Sequence, residues 1–324
     1  MKPRLIGVLT ILVLSVSATA VPVSAAVKAG AKCKVVGQIK VKKNKEFTCT
    51  AKGKKLVWRK EAKVVTASGV KDNIESELIL SQVIEGEDIE RRAIVMLPGD
   101  YDPNTAYAIV LGFHGNGQSP EDFAWMAQRV CSFELPCIAV VPEGYKRSWN
   151  LGVEESTADD VAFVSDVIAE LSSRYPLTSD FFAIGHSNGS GLVHVLATET
   201  SLLKGIAGFG SMLIEGREPS AETSAVSVLQ VHGMDDDVIP YDGGDSPVGL
   251  RFVPAEQSAT LWGSVNGCDA GTGETEDTGD RILMFEGCVD DHRVLHYGLA
   301  GQGHDAGMSE EFALIASEFF ASVR

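Results

Sequence analysis

Beyond its first 26 residues the 324-residue chain has no apolar run of the length a membrane span needs, no internal repeat and no long low-complexity tract. Those absences exclude a multi-span membrane protein and a repeat architecture. The chain also lacks any Cys-x-x-Cys pair, which argues against a zinc or dithiol redox site. Basic residues are scarce over most of its length. Residues 64–324 hold 13 Lys or Arg against 42 Asp or Glu, a net charge near −29, and so acidic a body is a poor match for nucleic acid.

What is present is unevenly placed. Lys2 and Arg4 precede an apolar run from Leu5 to Val16, followed by small-residue cleavage candidates at Ala18-Thr19-Ala20 and Val23-Ser24-Ala25. Residues 1–26 thus read as a secretory signal, with no stable membrane insertion once it is cleaved. The mature protein is expected outside the cell, extracellular or associated with the wall. Residues 28–63 carry 13 Lys or Arg against Glu46 and Glu61 alone, a basic knob of about +11. Export gives the six cysteines a meaning, because an even count in an oxidising compartment points to disulfides. Proximity pairs them as Cys33–Cys49, Cys131–Cys137 and Cys268–Cys288.

The organisation expected is a signal at 1–26, a small basic Cys/Trp module with linker at 27–65, and a catalytic domain at 66–324. The module has too few apolar residues to hold a core, so a Cys33–Cys49 bridge would supply the constraint. It resembles a small Cys-and-Trp module of secreted actinobacterial proteins and could grip an anionic wall polymer through residues 28–63. A solvated spacer is the competing reading. From residue 77 the pattern is a hairpin around Glu85-Gly86-Glu87, then strands and helices in alternation. Apolar runs at Ala108–Phe113, Cys137–Val141, Phe181–Ile184 and Ile206–Phe209, and a further strand at Val226–Val231, alternate with helical segments. Such runs indicate an α/β fold, a mostly parallel, doubly wound sheet covered on both faces.

The chain is organised around Phe181-Phe-Ala-Ile-Gly185-His186-Ser187-Asn188-Gly189. Four apolar residues run into Gly-x-Ser-x-Gly, and an apolar helix-like segment follows. In that context the motif is a nucleophile elbow, a strained strand-to-helix turn that lifts the Ser187 hydroxyl above the sheet at a helix N-terminus. A serine hydroxyl needs a base. His304, in Gly301-Gln-Gly-His304-Asp-Ala-Gly307, is the late candidate at a strand end, whereas His292 and His296 read as surface or packing residues. The acid should follow a strand between the two. His232-Gly-Met-Asp235-Asp236-Asp237 offers three aspartates, and spacing does not choose among them. For the oxyanion hole, the amide after the nucleophile, Asn188, is one donor. The loop Phe113-His114-Gly115-Asn116-Gly117 offers the Asn116 amide as the other, with His114 in a positional role. His186 and His194 read as structural.

These motifs resemble the secreted polyhydroxybutyrate depolymerase and feruloyl esterase-like group of α/β-hydrolases. The matching pieces are Phe-His114-Gly-Asn-Gly, Ser148-Trp149-Asn150, Asp159-Asp160-Val-Ala-Phe163, Gly-His-Ser187-Asn-Gly, His232-Gly-Met-Asp-Asp236-Asp-Val-Ile-Pro-Tyr-Asp-Gly-Gly244, Asn266-Gly-Cys268 with Gly287-Cys288, and Gly-Gln-Gly-His304. The resemblance implies an α/β-hydrolase fold over residues 76–324 and places the acid on Asp236. It sets Trp149 near a substrate cleft, which His114 and His186 would also line. The implied activity is a serine carboxylic-ester hydrolase acting on a small or polymeric ester with neither metal nor organic cofactor. A polyester depolymerase is the first expectation. A feruloyl or acetylxylan esterase is the alternative, and a non-catalytic wall-binding protein on the same scaffold is another. One departure stands out: the family usually has Trp-Pro-Gly after its histidine, where this chain has Asp305-Ala306-Gly307.

Overall fold

The computed structural model describes Lys28, Lys32 and residues 39–42, 45–52, 55–60, 74–131 and 135–324. The secretory signal at 1–26 lies outside those residues, as does Cys33, so the Cys33–Cys49 pairing is outside the description. The chain divides into two compact units, Met1–Val64 and Val65–Arg324. In the first, β1 (Ile39–Lys42), β2 (Lys45–Lys52) and β3 (Lys55–Lys60) form a three-stranded antiparallel sheet.

The second unit is built on one ten-stranded sheet. It opens with the hairpin β4 (Ile74–Ile84) and β5 (Glu87–Met96). Their two-residue turn needs positive φ at both positions, and Glu85 (55°) and Gly86 (86°) supply it. Next come β6 (Tyr107–Phe113), α1 (Pro120–Val130), β7 (Cys137–Pro142), α2 (Asp160–Arg174), β8 (Leu177–His186), α3 (Asn188–Glu199), β9 (Gly205–Phe209) and β10 (Ser227–Gly233). A short pair, β11 (Gly244–Asp245) and β12 (Arg251–Phe252), leads to α4 (Ala255–Val265), β13 (Thr272–Thr275), β14 (Arg281–Phe285), β15 (Val294–Leu299) and α5 (Glu310–Ser322).

The sheet order is β13-β14-β15-β10-β9-β8-β6-β7-β5-β4. The six central strands, from β15 to β7, run parallel, and an antiparallel pair closes each edge. Parallel strands need both faces covered, which is why β6, β7, β9 and β10 are buried along their whole length. Alternation along β6 shows the two layers. Ile109, Leu111 and Phe113 enter one core with Phe163, Val167 and Leu171 of α2, Leu192 of α3 and Trp262 of α4. Ala108 and Val110 enter the other with Phe123 and Met126 of α1 and Phe320 of α5. This is the α/β-hydrolase architecture expected from the sequence. Among the described residues two disulfides are formed, Cys131–Cys137 between the end of α1 and the start of β7, and Cys268–Cys288. Among the described residues no helix is long and apolar enough to cross a membrane.

Candidate active site

Three loops at the C-terminal ends of β8, β10 and β15 carry the chemistry. Ser187 is the N-cap of α3, with φ 53° and ψ −119°, a conformation that L residues rarely adopt. The surroundings enforce it. The Ser187 N–H donates to the Phe209 carbonyl at 2.8 Å, and the Ser187 carbonyl accepts from the Gly191 N–H at 3.0 Å. A Cβ on Gly185 would overlap the Gly189 carbonyl, and one on Gly189 would overlap the carbonyls of Phe113 and His114. The motif glycines are therefore required by backbone contact, and the second seats the β6 loop directly on the elbow.

His304 Nε2 lies 2.7 Å from Ser187 Oγ, and His304 Nδ1 lies 2.8 Å from Asp236 Oδ2. The acid and base loops follow neighbouring strands, β10 and β15. They lie backbone to backbone, with Asp235 N–H on the Gln302 carbonyl at 2.9 Å. Gly233 permits this, since a Cβ there would strike the carbonyls of Gln302 and Gly303. Asp236 is buried at 6% exposure, while Asp235 and Asp237 on either side are exposed. Burial on its own would raise the Asp236 carboxyl. Hydrogen bonds from His232, His304 and the Ile239 N–H outweigh it and hold the group well below the usual carboxylate range. The result is an ionised acid on an imidazole that reaches a half-buried hydroxyl, an arrangement able to move the hydroxyl proton and stabilise the imidazolium so formed.

Asn188 opens α3, so its N–H has no carbonyl one turn earlier within the helix to receive it. In the β6 loop, the Gly115 N–H donates to Gln118 Oε1 and the Gly117 N–H to the Arg147 carbonyl, both at 2.8 Å. Asn116, between them, is exposed. The backbone positions expected for the two oxyanion donors thus sit on adjoining loops.

Three expectations need correction. Trp149 and His114 do not line a cleft, since both are at 0% exposure. Trp149 lies edge-on against Phe113, and its indole N–H donates to the His114 carbonyl at 2.8 Å. The His114 ring is consumed by backbone: Nε2 accepts from the Gly144 N–H at 3.0 Å, so Nδ1–H donates to the Gly115 carbonyl at 2.8 Å. His186 is beside the triad, its ring 5.3 Å from that of His304, yet it is buried and packs under the base loop. Burial, and then the neighbouring His304, lower its pKa.

The sequence reading missed a layer of buried polar contacts behind the site. Arg91 and Asp160, both 2% exposed at the side chain, form an ion pair at 2.8 Å. Arg91 also donates to the Glu143 carbonyl and Gln82 Oε1, and its guanidinium lies 3.8 Å over the Phe163 ring. Asp160 Oδ2 accepts from the Asn150 N–H, so the pair anchors the segment that carries Trp149. The Asn188 side chain binds the same segment. Only the Asp159-Asp160 motif hinted at this layer.

Fold and geometry are those of a serine hydrolase on the α/β-hydrolase fold, and the proteins the chain resembles are carboxylic-ester hydrolases. The chain is similar to the probable feruloyl esterase C of Aspergillus niger, at 25% identity over 245 residues, 71% of this chain and 83% of that protein. It is similar also to the feruloyl esterase C of Emericella nidulans, at 24% identity over the same fractions. No family model matches the chain. Among solved structures, Thermogutta terrifontis esterase 2 phosphonylated by cyclosarin shares the fold at a TM-score of 0.50 and 13% identity, over 76% of this chain and 91% of that one.

Proposed function

We propose that the protein is an exported serine esterase of the feruloyl esterase type, acting through an acyl-enzyme. The observation that carries the reading is the run of two short hydrogen bonds, Ser187 Oγ to His304 Nε2 at 2.7 Å and His304 Nδ1 to Asp236 Oδ2 at 2.8 Å. His304 takes the Ser187 proton as Oγ bonds to the ester carbonyl carbon. The carbonyl oxygen becomes an oxyanion held by the Asn188 and Asn116 amides. The C–O bond to the alcohol breaks as His304 passes it the proton. Water, deprotonated by His304, then releases the acid and restores Ser187.

For the substrate, support falls on the feruloyl alternative rather than on a polyester, because several relatives at 24–26% identity bear that name. Export is supported by the signal-like first 26 residues and by the two disulfides. The test compares methyl ferulate, p-nitrophenyl acetate, acetylated xylan and polyhydroxybutyrate films, using wild type and Ser187→Ala. Turnover of methyl ferulate that is lost in Ser187→Ala by a factor on the order of 10⁶ is expected. Ferulate untouched while the polyester film is cleared would return the polyester reading. Ser187→Ala within tenfold of wild type would remove the nucleophile assignment.

A further inference from the structure

The two amides assigned to the oxyanion belong to segments some 70 residues apart in the chain, the β6 loop and the elbow. One residue touches both. Trp149 donates its indole Nε1–H to the His114 carbonyl at 2.8 Å, two residues before Asn116. Its own peptide groups are gripped by the carboxamide of Asn188. The Trp149 N–H donates to Asn188 Oδ1 at 2.7 Å, and Asn188 Nδ2 donates to the Trp149 carbonyl at 2.9 Å. Asn188 Nδ2 donates also to Glu154 Oε1 at 3.0 Å, a second restraint on the carboxamide.

The rest of the 144–149 segment is fitted to the same task. The Arg147 carbonyl fixes the Gly117 N–H at 2.8 Å. To present that carbonyl, Lys146 and Arg147 both adopt left-handed backbone, at φ 54° and 60°. With the Gly115 N–H on Gln118 Oε1, the amides on either side of Asn116 are committed and the direction of the peptide between them is set.

We propose that Trp149 is a positioning residue that couples the two halves of the oxyanion hole, fixing the Asn116 amide through the His114 carbonyl and the Asn188 amide through the Asn188 side chain. Donors to an oxyanion accelerate the reaction only when they are aimed beforehand at the place where charge develops. Trp149 touches no substrate in this account. The inference rests on the Ser187 acyl-enzyme reading given above.

The test uses Trp149→Phe, which keeps a ring against Phe113 and removes the indole N–H. Trp149 replaced by β-(3-benzothienyl)alanine serves as the second variant, the same shape without the donor, should phenylalanine fold poorly. Asn188→Ala keeps the backbone amide and cuts the grip on Trp149 from the other side. With p-nitrophenyl acetate, turnover per titrated Ser187 should fall roughly tenfold to a hundredfold, short of the 10²–10³ typical of deleting a donor outright. KM should stay within about threefold, as expected for an interaction expressed in the transition state. Affinity for an alkyl trifluoromethyl ketone, which binds as a tetrahedral oxyanion, should fall by the same factor as kcat/KM, with the acid limb of the pH profile unmoved. Trp149→Phe removes the indole bond alone and Asn188→Ala the carboxamide bonds alone, so if Trp149 couples the two halves the combined loss should be smaller than the product of the two single losses. Turnover within twofold of wild type in the benzothienyl variant would overturn the proposal. So would a fall in turnover with ketone affinity unchanged, since a merely structural defect acts that way. Activity surviving in Ser187→Ala would instead remove the underlying reading.

Discussion

Asp236 meets His304 with the carboxylate oxygen that its own loop leaves open. Oδ1 accepts the N–H groups of Val238 and Ile239, both at 2.9 Å, and Oδ2 accepts from His304 at 2.8 Å. The His232 ring, whose Nε2 donates to the Ile239 carbonyl at 2.8 Å and lies 3.3 Å from Oδ2, closes the pocket beneath. The acid is thus fixed in rotation before it touches the base.

This division of the two oxygens separates Asp236 from its neighbours. Asp236→Asn should lower turnover by roughly 10⁴, because the amide can present an N–H to Nδ1 and favour the wrong tautomer. Asp235→Asn and Asp237→Asn, on exposed side chains, should remain within about threefold of wild type. Turnover of the three variants on p-nitrophenyl acetate decides it. A crippled Asp235 or Asp237 variant beside an active Asp236→Asn would move the acid.

The Arg91–Asp160 pair predicts an asymmetric stability effect. Burial lowers the Arg91 pKa and raises that of Asp160, so each charge depends on the other. Arg91→Met leaves Asp160 buried with the Asn150 N–H but no cation, and should cost about 3–5 kcal/mol in denaturant unfolding. Arg91→Met with Asp160→Asn should recover part of that loss. A single variant within about 1 kcal/mol of wild type would show that the carboxylate is solvated by other means.

What was legible in the sequence was what is local. The elbow is five consecutive residues, Gly185 to Gly189, with an apolar strand before them, and its glycines are demanded by backbone contacts that any such turn makes. β6, β7 and β9 were legible because a strand buried on both faces is a continuous apolar run. Asp236 was not separable from Asp235 and Asp237 by pattern, since three adjacent carboxylates differ only in which one the turn buries. Trp149 was placed near a cleft by the family resemblance alone, and nothing in its sequence neighbours marks it as buried. Its partner, the His114 carbonyl, is 35 residues away and leaves no trace in composition. Arg91 sits in a strand as Glu90-Arg91-Arg92, and nothing local marks it as buried, because its partner Asp160 is 69 residues on. β13 is exposed at all four residues and takes its place only from its register with β14.

Two buried histidines predict how stability responds to acid. His194 accepts the Trp262 indole N–H at 3.2 Å, and His296 lies between Gln230 Nε2 at 3.1 Å and the Tyr241 hydroxyl at 2.9 Å. Burial pushes both rings down to about 3. They stay neutral in the fold and take up protons once unfolding exposes them. The contribution is therefore fully present above about pH 6.5 and is lost as pH falls from there towards 3. His194→Gln, which keeps an acceptor for Trp262 but does not titrate, should flatten the fall in unfolding free energy between about pH 6 and 4 by about 1.4 kcal/mol per pH unit. Denaturant titrations across that range measure it, and parallel curves for variant and wild type would refute the burial of a neutral ring.

The last prediction concerns the basic segment 28–63, with 13 Lys or Arg against two Glu. Too few acids lie within it to neutralise it internally, and its charges are spread along the whole segment rather than gathered at one point. That distribution suits a surface contact with an extended polyanion, and polymers outside the cell are often anionic. Such binding is electrostatic and weakens with salt, because exposed charges are screened beyond about 8 Å at physiological ionic strength. Deleting residues 27–64 should therefore abolish retention on an anionic polysaccharide at low salt. Added salt should release the protein that retains residues 27–64 from the same matrix. Hydrolysis of p-nitrophenyl acetate should be unchanged by the deletion, since Ser187, Asp236 and His304 all belong to the unit Val65–Arg324. Equal retention of both forms at low salt would leave the segment a spacer.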